Sequence, residues 1–146
     1  MYLVARSMLY AREEARLHRA CVKVLRERCP GAVTYRHSGG QRLAGGARHF
    51  RLAKLEGTTK GAPDLVMLKR GADGTSGLCV EFKAPGSEKR VTAEQRASLS
   101  ALAAEGFSTH VLSSVTQFKQ VLDVHLGASL NVVYDSNLGV EVIVVD

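Results

Sequence analysis

Glu81 and Lys83 flank Phe82 in the run LCVEFKAPG, residues 78–86. On a strand, positions i and i+2 share a face, so the carboxylate and the ammonium project together while Phe82 turns the other way. Upstream, Gly61-Ala62-Pro63-Asp64 places a second carboxylate at the mouth of another apolar run, LVML. Two converging carboxylates suit a hard divalent cation. Mg²⁺ takes oxygen ligands in octahedral geometry and commonly uses one or two carboxylates with phosphate oxygens and water. Asp64 and Glu81 supply such a pair, and the backbone carbonyl of Phe82 completes the protein's share. A cation so held lowers the pKa of its water and stabilises charge developing at phosphorus. Lys83 would orient or deprotonate the attacking water, or else neutralise the transition state. A lone surface Glu81–Lys83 pair would contribute only ~0–1 kcal/mol. The weight therefore rests on its combination with Asp64.

The elements that position these groups follow from the surrounding pattern. PDLVMLKRGADGTSGLCVEFKAP is two apolar runs joined by a polar linker that contains Asp73-Gly74, a hairpin signature. Folding about that dipeptide pairs positions that sum to roughly 147, which sets Asp64 opposite Lys83 and Val66 opposite Glu81. A slip of one residue would redirect all of them.

Residues 10–29 have helical periodicity, with Tyr10, Leu17, Ala20, Cys21, Val24 and Leu25 on one face. Arg12, Arg16, Arg19, Lys23 and Arg26 step along the opposite side, a solvated face or a surface for a phosphate backbone. Pro30-Gly31 ends that helix. Residues 32–37 read as a short strand, 38–47 as a Gly-rich loop without P-loop spacing, and 47–57 as a helix or a strand, the helix preferred.

VTAEQRASLSALAAEG, 91–106, has Thr92 as N-cap and Gln95 three residues on, a capping box. Leu99, Leu102 and Ala103 give its apolar face, and Gly106 stands where a helix stops. Residues 108–114 read as a strand, 115–126 as a helix bearing Phe118, Val121, Leu122 and His125, and the tail as two strands around Asn137-Leu138-Gly139. Helix, strand, helix, hairpin, helix, strand, helix imply an α/β fold, a mixed central sheet flanked by helices.

With 146 residues, 45% of them hydrophobic and 23% charged, the chain reads as one soluble domain. The net charge is +6 and the pI near 9.5, a balance that favours polyanionic partners because phosphate contacts release counterions. Cys21, Cys29 and Cys79 show no CxxC spacing, and Cys21 and Cys79 sit in apolar contexts. They read as small buried hydrophobes in a reducing, cytoplasmic compartment rather than zinc ligands. MYLVARSML, broken by Arg6, lacks the pattern of a signal peptide, and no stretch approaches the ~20 apolar residues of a membrane span.

The segments KGAPDLVML and LCVEFKAPGSEKRVTAEQRASLSALAAEGF resemble the PD-(D/E)XK nuclease superfamily, and within it the VRR-NUC family. The resemblance covers about residues 10–125, so that 1–146 is a single nuclease domain with 130–146 as a C-terminal β extension. It implies a restriction-endonuclease-like core, with Asp64 and Glu81 as metal-binding acids, Lys83 as catalytic lysine and Gln95 as the supporting helix glutamine. The acid of the first helix is Glu13 or Glu14 by periodicity. The family pattern points to Glu14, a catalytic acid and a ligand for a second metal, with His18 standing where Gln is frequent. HSGGQR departs from the family in lacking Asn before the Gly pair. Arg42 and Arg48, with Lys60 beside the G-x-P-D turn, join Arg12, Arg16, Arg19 and Lys23 as nucleic-acid contacts. The resemblance implies an Mg²⁺-dependent endonuclease, with Mn²⁺ as substitute, acting on branched DNA as a homodimer in a bacterial or phage-infected cytoplasm. The rivals are a non-cleaving nucleic-acid-binding module of the same fold and a nuclease for RNA or linear duplex.

Overall fold

The computed structural model describes residues 2–36, 57, 59–128, 130–135 and 140–145. Its elements are α1 (Tyr2–Arg28), β1 (Thr34–Arg36), β2 (Leu65–Met67), β3 (Leu78–Phe82), a 3-10 turn (Glu88–Arg90), α2 (Ala93–Ala104), β4 (Ser108–Leu112), α3 (Val115–His125), β5 (Leu130–Asp135) and β6 (Val140–Val145). The expected loop at 38–47, which carries Arg42, and all but the last residue of the expected helix at 47–57, which carries Arg48, lie outside the described residues.

Four strands form a mixed sheet in the order β1-β2-β3-β4. β1, β2 and β3 run antiparallel to their neighbours, whereas β4 lies parallel to β3. The parallel pair needs a crossover, which α2 supplies. Helices flank this sheet, the restriction-endonuclease-like α/β arrangement. β5 and β6 pair only with each other, as a separate two-stranded sheet, so this extension does not continue the main one.

Every residue of β3 is buried, as expected of a central strand covered on both faces. Leu78, Val80 and Phe82 face Leu65 and Met67 of the same sheet, Cys21 and Leu25 of α1, and Phe118 and Leu122 of α3. Cys79, Glu81 and Lys83 face the other way, towards α2. Arg28 at the end of α1 is ion-paired to Asp123 of α3, which fixes the two core helices to each other. Cys21 and Cys79 are buried free thiols, pushed up to about 12 and about 11 by desolvation, as inert core cysteines should be.

Two boundaries and one expected apolar face differ from the sequence reading. α1 starts at Tyr2, a turn or two earlier than residue 10, because LVARSML contains no helix breaker. β4 stops at Leu112, since Ser114 leaves the strand to cap α3, accepting from the Gln117 N–H at 3.1 Å. α2 keeps its apolar stripe less buried than the pattern implies: Leu99 and Leu102 are half-buried and Ala103 is exposed.

The β2–β3 register is a larger correction. Leu65 pairs with Val80, Val66 with Cys79 and Met67 with Leu78, a sum of 145 rather than 147. Continuing that ladder sets Asp64 opposite Glu81, not Lys83. The dipeptide Asp73-Gly74 does turn, but inside a longer connection. The Asp73 carboxylate accepts from the Thr75 N–H and O–H at 3.0 and 2.8 Å, and the Ala72 N–H donates to the His125 carbonyl at 2.9 Å. The connection is thereby tied to the end of α3 and does not serve as the hinge of the ladder. A slip of two preserves the facing of every side chain.

Candidate active site

Two local signals place the reacting groups. Ala84-Pro85-Gly86-Ser87 forms a tight turn, closed by the Ser87 N–H to the Ala84 carbonyl at 2.9 Å, with Gly86 at φ +78°. Pro at the second position and a positive-φ Gly at the third define a type II turn. It halts β3 immediately after Lys83 and leaves Glu81 and Lys83 at the strand's end. Opposite, Gly61 (φ +81°) lies so close to the first turn of α2 that a Cβ there would approach the backbone of Glu94 to 2.5 Å and the Gln95 nitrogen to 2.7 Å. The loop that carries Asp64 and the helix that carries Gln95 are thus in backbone contact. Lys60 adds an ion pair to Glu94 at 2.7 Å, so this expected nucleic-acid contact is engaged in holding the loop against α2.

Around Glu81 the polar network is dense. Lys83 Nζ donates to Glu81 Oε1 at 2.9 Å, and Gln95 Nε2 donates to the same oxygen. The Gln95 Oε1 meanwhile accepts from the Thr92 N–H at 2.9 Å, so one amide serves both the capping box and the carboxylate. Asp64 Oδ2 accepts from the Phe82 N–H at 2.8 Å. In an antiparallel pair a residue's N–H and C=O point to the same neighbour, so the Phe82 carbonyl also faces Asp64. Glu14 Oε1 accepts from the Ala84 N–H at 3.4 Å, which brings α1 to the same strand end. Among the described residues Glu13 makes no such contact.

The electrostatics follow from burial. Glu81 is 2% exposed, and desolvation, reinforced by the charge of Asp64 and only partly offset by Lys83, pushes its carboxyl up to about 7. Glu14 is likewise raised, first by burial, with Lys83 lowering and Asp64 raising it. Most telling is Glu81 Oε2, which is buried and has no hydrogen-bond partner among the described residues. A buried acceptor left bare costs ~1–3 kcal/mol.

Those features fit a divalent cation. An Oε2 without a donor, the Asp64 carboxylate across the ladder and the Phe82 carbonyl on the same side form an all-oxygen set. Among the described residues no three or more His, Cys, Asp and Glu side chains gather into a group that could hold a metal ion, so the set rests on two carboxylates. An open site with two carboxylates is what Mg²⁺ accepts, because it keeps several waters.

The remaining expected residues separate by place. Arg12, Arg16, Arg19 and Lys23 are exposed along α1. His18 packs its ring on Phe82 at 4.9 Å, and burial lowers its pKa, so it stands as a half-buried aromatic neighbour of the site. Arg90 was not singled out from sequence. Its guanidinium lies 5.1 Å from the centre of the Tyr10 ring, and its charge lowers the Glu14 pKa. The signal available was the basic pair Lys89-Arg90, directly downstream of the E-x-K strand.

Comparison with known proteins follows the same lines. The family model of the VRR-NUC domain matches residues 10–116. A solved structure described as a VRR_NUC domain protein is 30% identical with a TM-score of 0.46. The alignment covers 55% of this chain and 62% of that one, so the chain spans about three fifths of that protein's length. No curated protein is significantly similar to the chain.

Proposed function

The chain belongs to the VRR-NUC family of nuclease domains, and we propose that it is an Mg²⁺-dependent DNA endonuclease whose centre is Asp64, Glu81 and Lys83. The observation that carries this reading is the bare, buried Oε2 of Glu81, whose carboxyl feels the charge of Asp64 while its other oxygen is held by Lys83 and Gln95. Such an arrangement is costly for a fold and useful for holding a cation.

Asp64, Glu81 and the Phe82 carbonyl would hold the ion, and the family pattern supports Glu14 for a second. When bound, the cation supplies Lewis acidity at the scissile phosphate and an acidified water. The chain's own groups do the rest. Gln95 and Lys83 fix the Glu81 carboxylate in one orientation. The Lys83 ammonium has three donors and uses one on Glu81, which leaves two for the attacking water or a phosphoryl oxygen. α2, α1 and the turn after Lys83 exclude bulk water, so those donors act in a low-dielectric setting. Arg12 and Arg16 extend a cationic surface from this centre along α1. The family resemblance supports branched DNA as substrate, with Mn²⁺ able to replace Mg²⁺, and a homodimer as the unit that cuts a two-fold junction.

The test is nicking of end-labelled branched and linear duplexes in Mg²⁺ and in EDTA, with Lys83→Ala alongside. Cleavage in Mg²⁺ only, abolished by Lys83→Ala while most DNA affinity persists, is the expected result. Intact protein with metal that nicks no DNA or RNA would leave a binding module of the same fold.

A further inference from the structure

On the α1 side of the sheet, away from α2, a cavity of ≈ 650 Å³ lies between α1 and the β1 edge. Arg19, Lys23 and Arg26 rise along one wall and Arg36 faces them from the other, against a single acid, Glu27. All four cations are exposed, and among the described residues none of them takes part in an ion pair. Ala15, Val22 and Leu65 give the lining its apolar part, Ala15 and Val22 interleaved with Arg19 and Arg26 along α1. At one end stands His18, the same residue that packs on Phe82 and feels the charge of Asp64. His18 thus ties one end of the groove to Phe82 and to the field of Asp64, on the face of the sheet opposite Glu81 and Lys83.

We propose that this groove is the path of one single-stranded arm of the nucleic acid. The inference rests on the nuclease reading and adds to it the form of the substrate at one exit from the centre. Three features select a single strand. First, a cleft of this volume suits one or two nucleotides, whereas a duplex turns only its charged rails outward and would rest across the rim. Second, a lining that mixes cations with apolar side chains matches an unpaired strand, which offers both phosphates and unstacked base faces. Third, the half-exposed His18 ring at the inner end gives a flat surface on which a base can stack. From Arg19 to Arg26 the helix rises about 10 Å, and Arg19, Lys23 and Arg26 along it present cations to successive phosphates of the strand.

The experiment is anisotropy in EDTA, where binding is read without cleavage. It compares a blunt duplex with the same duplex bearing a short single-stranded arm, over a series of salt concentrations. The variants are the double substitution Arg26→Gln with Arg36→Gln, and Lys119→Gln on exposed α3 as control. Both groove arginines are exposed, and circular dichroism checks that the fold is kept. Wild type should favour the armed duplex. The double variant should lose that preference, weakening on the armed duplex by roughly tenfold and flattening the log–log salt slope by about 1.4, two contacts at ~0.7 each. Lys119→Gln should match wild type on both. Equal weakening on blunt and armed duplex, no weakening on either, or no preference in wild type would each overturn the groove assignment. Mg²⁺-dependent nicking by the same preparations reports on the nuclease reading separately, since it persists in wild type whichever way the groove result falls.

Discussion

Glu81→Gln isolates the cost of holding an ionised acid in the interior. Gln keeps the size and an acceptor oxygen for Lys83 and Gln95, and it replaces the bare Oε2 with an amide nitrogen. Glu81 titrates near 7 in the fold, against 4.5 for the ordinary group. Because the folded value is the higher, the folded state binds the extra proton. Stability from this site is fully present below 4.5 and lost as pH rises through 7. The gap of 2.5 units, 7 less 4.5, corresponds to about 3 kcal/mol at ~1.36 kcal/mol per unit. In EDTA, wild type and Glu81→Gln should therefore melt together at pH 4.5 and diverge above it. By pH 8 the variant should be more stable by about 3 kcal/mol, which for a domain of this size is roughly 10 °C in Tm. Added Mg²⁺ should raise the wild-type Tm at pH 8 and leave the variant unmoved, because a ligand stabilises only the state that binds it. The assay is differential scanning calorimetry across pH with and without metal. Parallel Tm–pH curves for the two proteins would refute the claim that Glu81 is ionised against the preference of its surroundings.

Three further outcomes follow from the same geometry. Asp64→Asn should weaken Mn²⁺ binding in isothermal titration by tenfold or more, and wild-type affinity in that variant would remove Asp64 from the ligand set. Gly61→Ala adds a Cβ at positive φ against the Glu94 backbone, and should cost roughly 3 kcal/mol in urea unfolding together with a loss of nicking. Thr92→Ala removes the acceptor for the Gln95 N–H and should cost about 1 kcal/mol, or ~3 °C in Tm, with nicking reduced but present.

What the sequence disclosed depended on range. The capping box of Thr92 and Gln95 and the E-x-K strand are decided by neighbours within four residues, and periodicity and cap chemistry found them, whereas Ser114, the cap of α3, was read as strand. The β2–β3 register was misjudged by two because Asp73-Gly74 is bonded to Thr75 and its neighbour Ala72 to His125, a contact across more than fifty positions. Glu13 and Glu14 are equivalent by helical phase, and only the approach of α1 to Ala84 distinguishes them. Arg36 gained its meaning from β1 being the sheet edge beside α1, which no local pattern contains. Arg90 was hidden for the same reason, since its partner Tyr10 lies eighty residues away.

Helix α1 touches the strand end through Glu14 and walls the groove as far as Arg26, a span of about 18 Å along one rigid axis. Chemistry and substrate grip are in this way mounted on a common beam. Anything that tilts the beam, whether a strand seated against it or a substitution beneath it, misaligns a carboxylate and reshapes the channel in the same motion. Retuning which arm is accepted without disturbing the rate is therefore a task for the opposite wall, at Thr34 and Arg36, which carries no part of the metal centre.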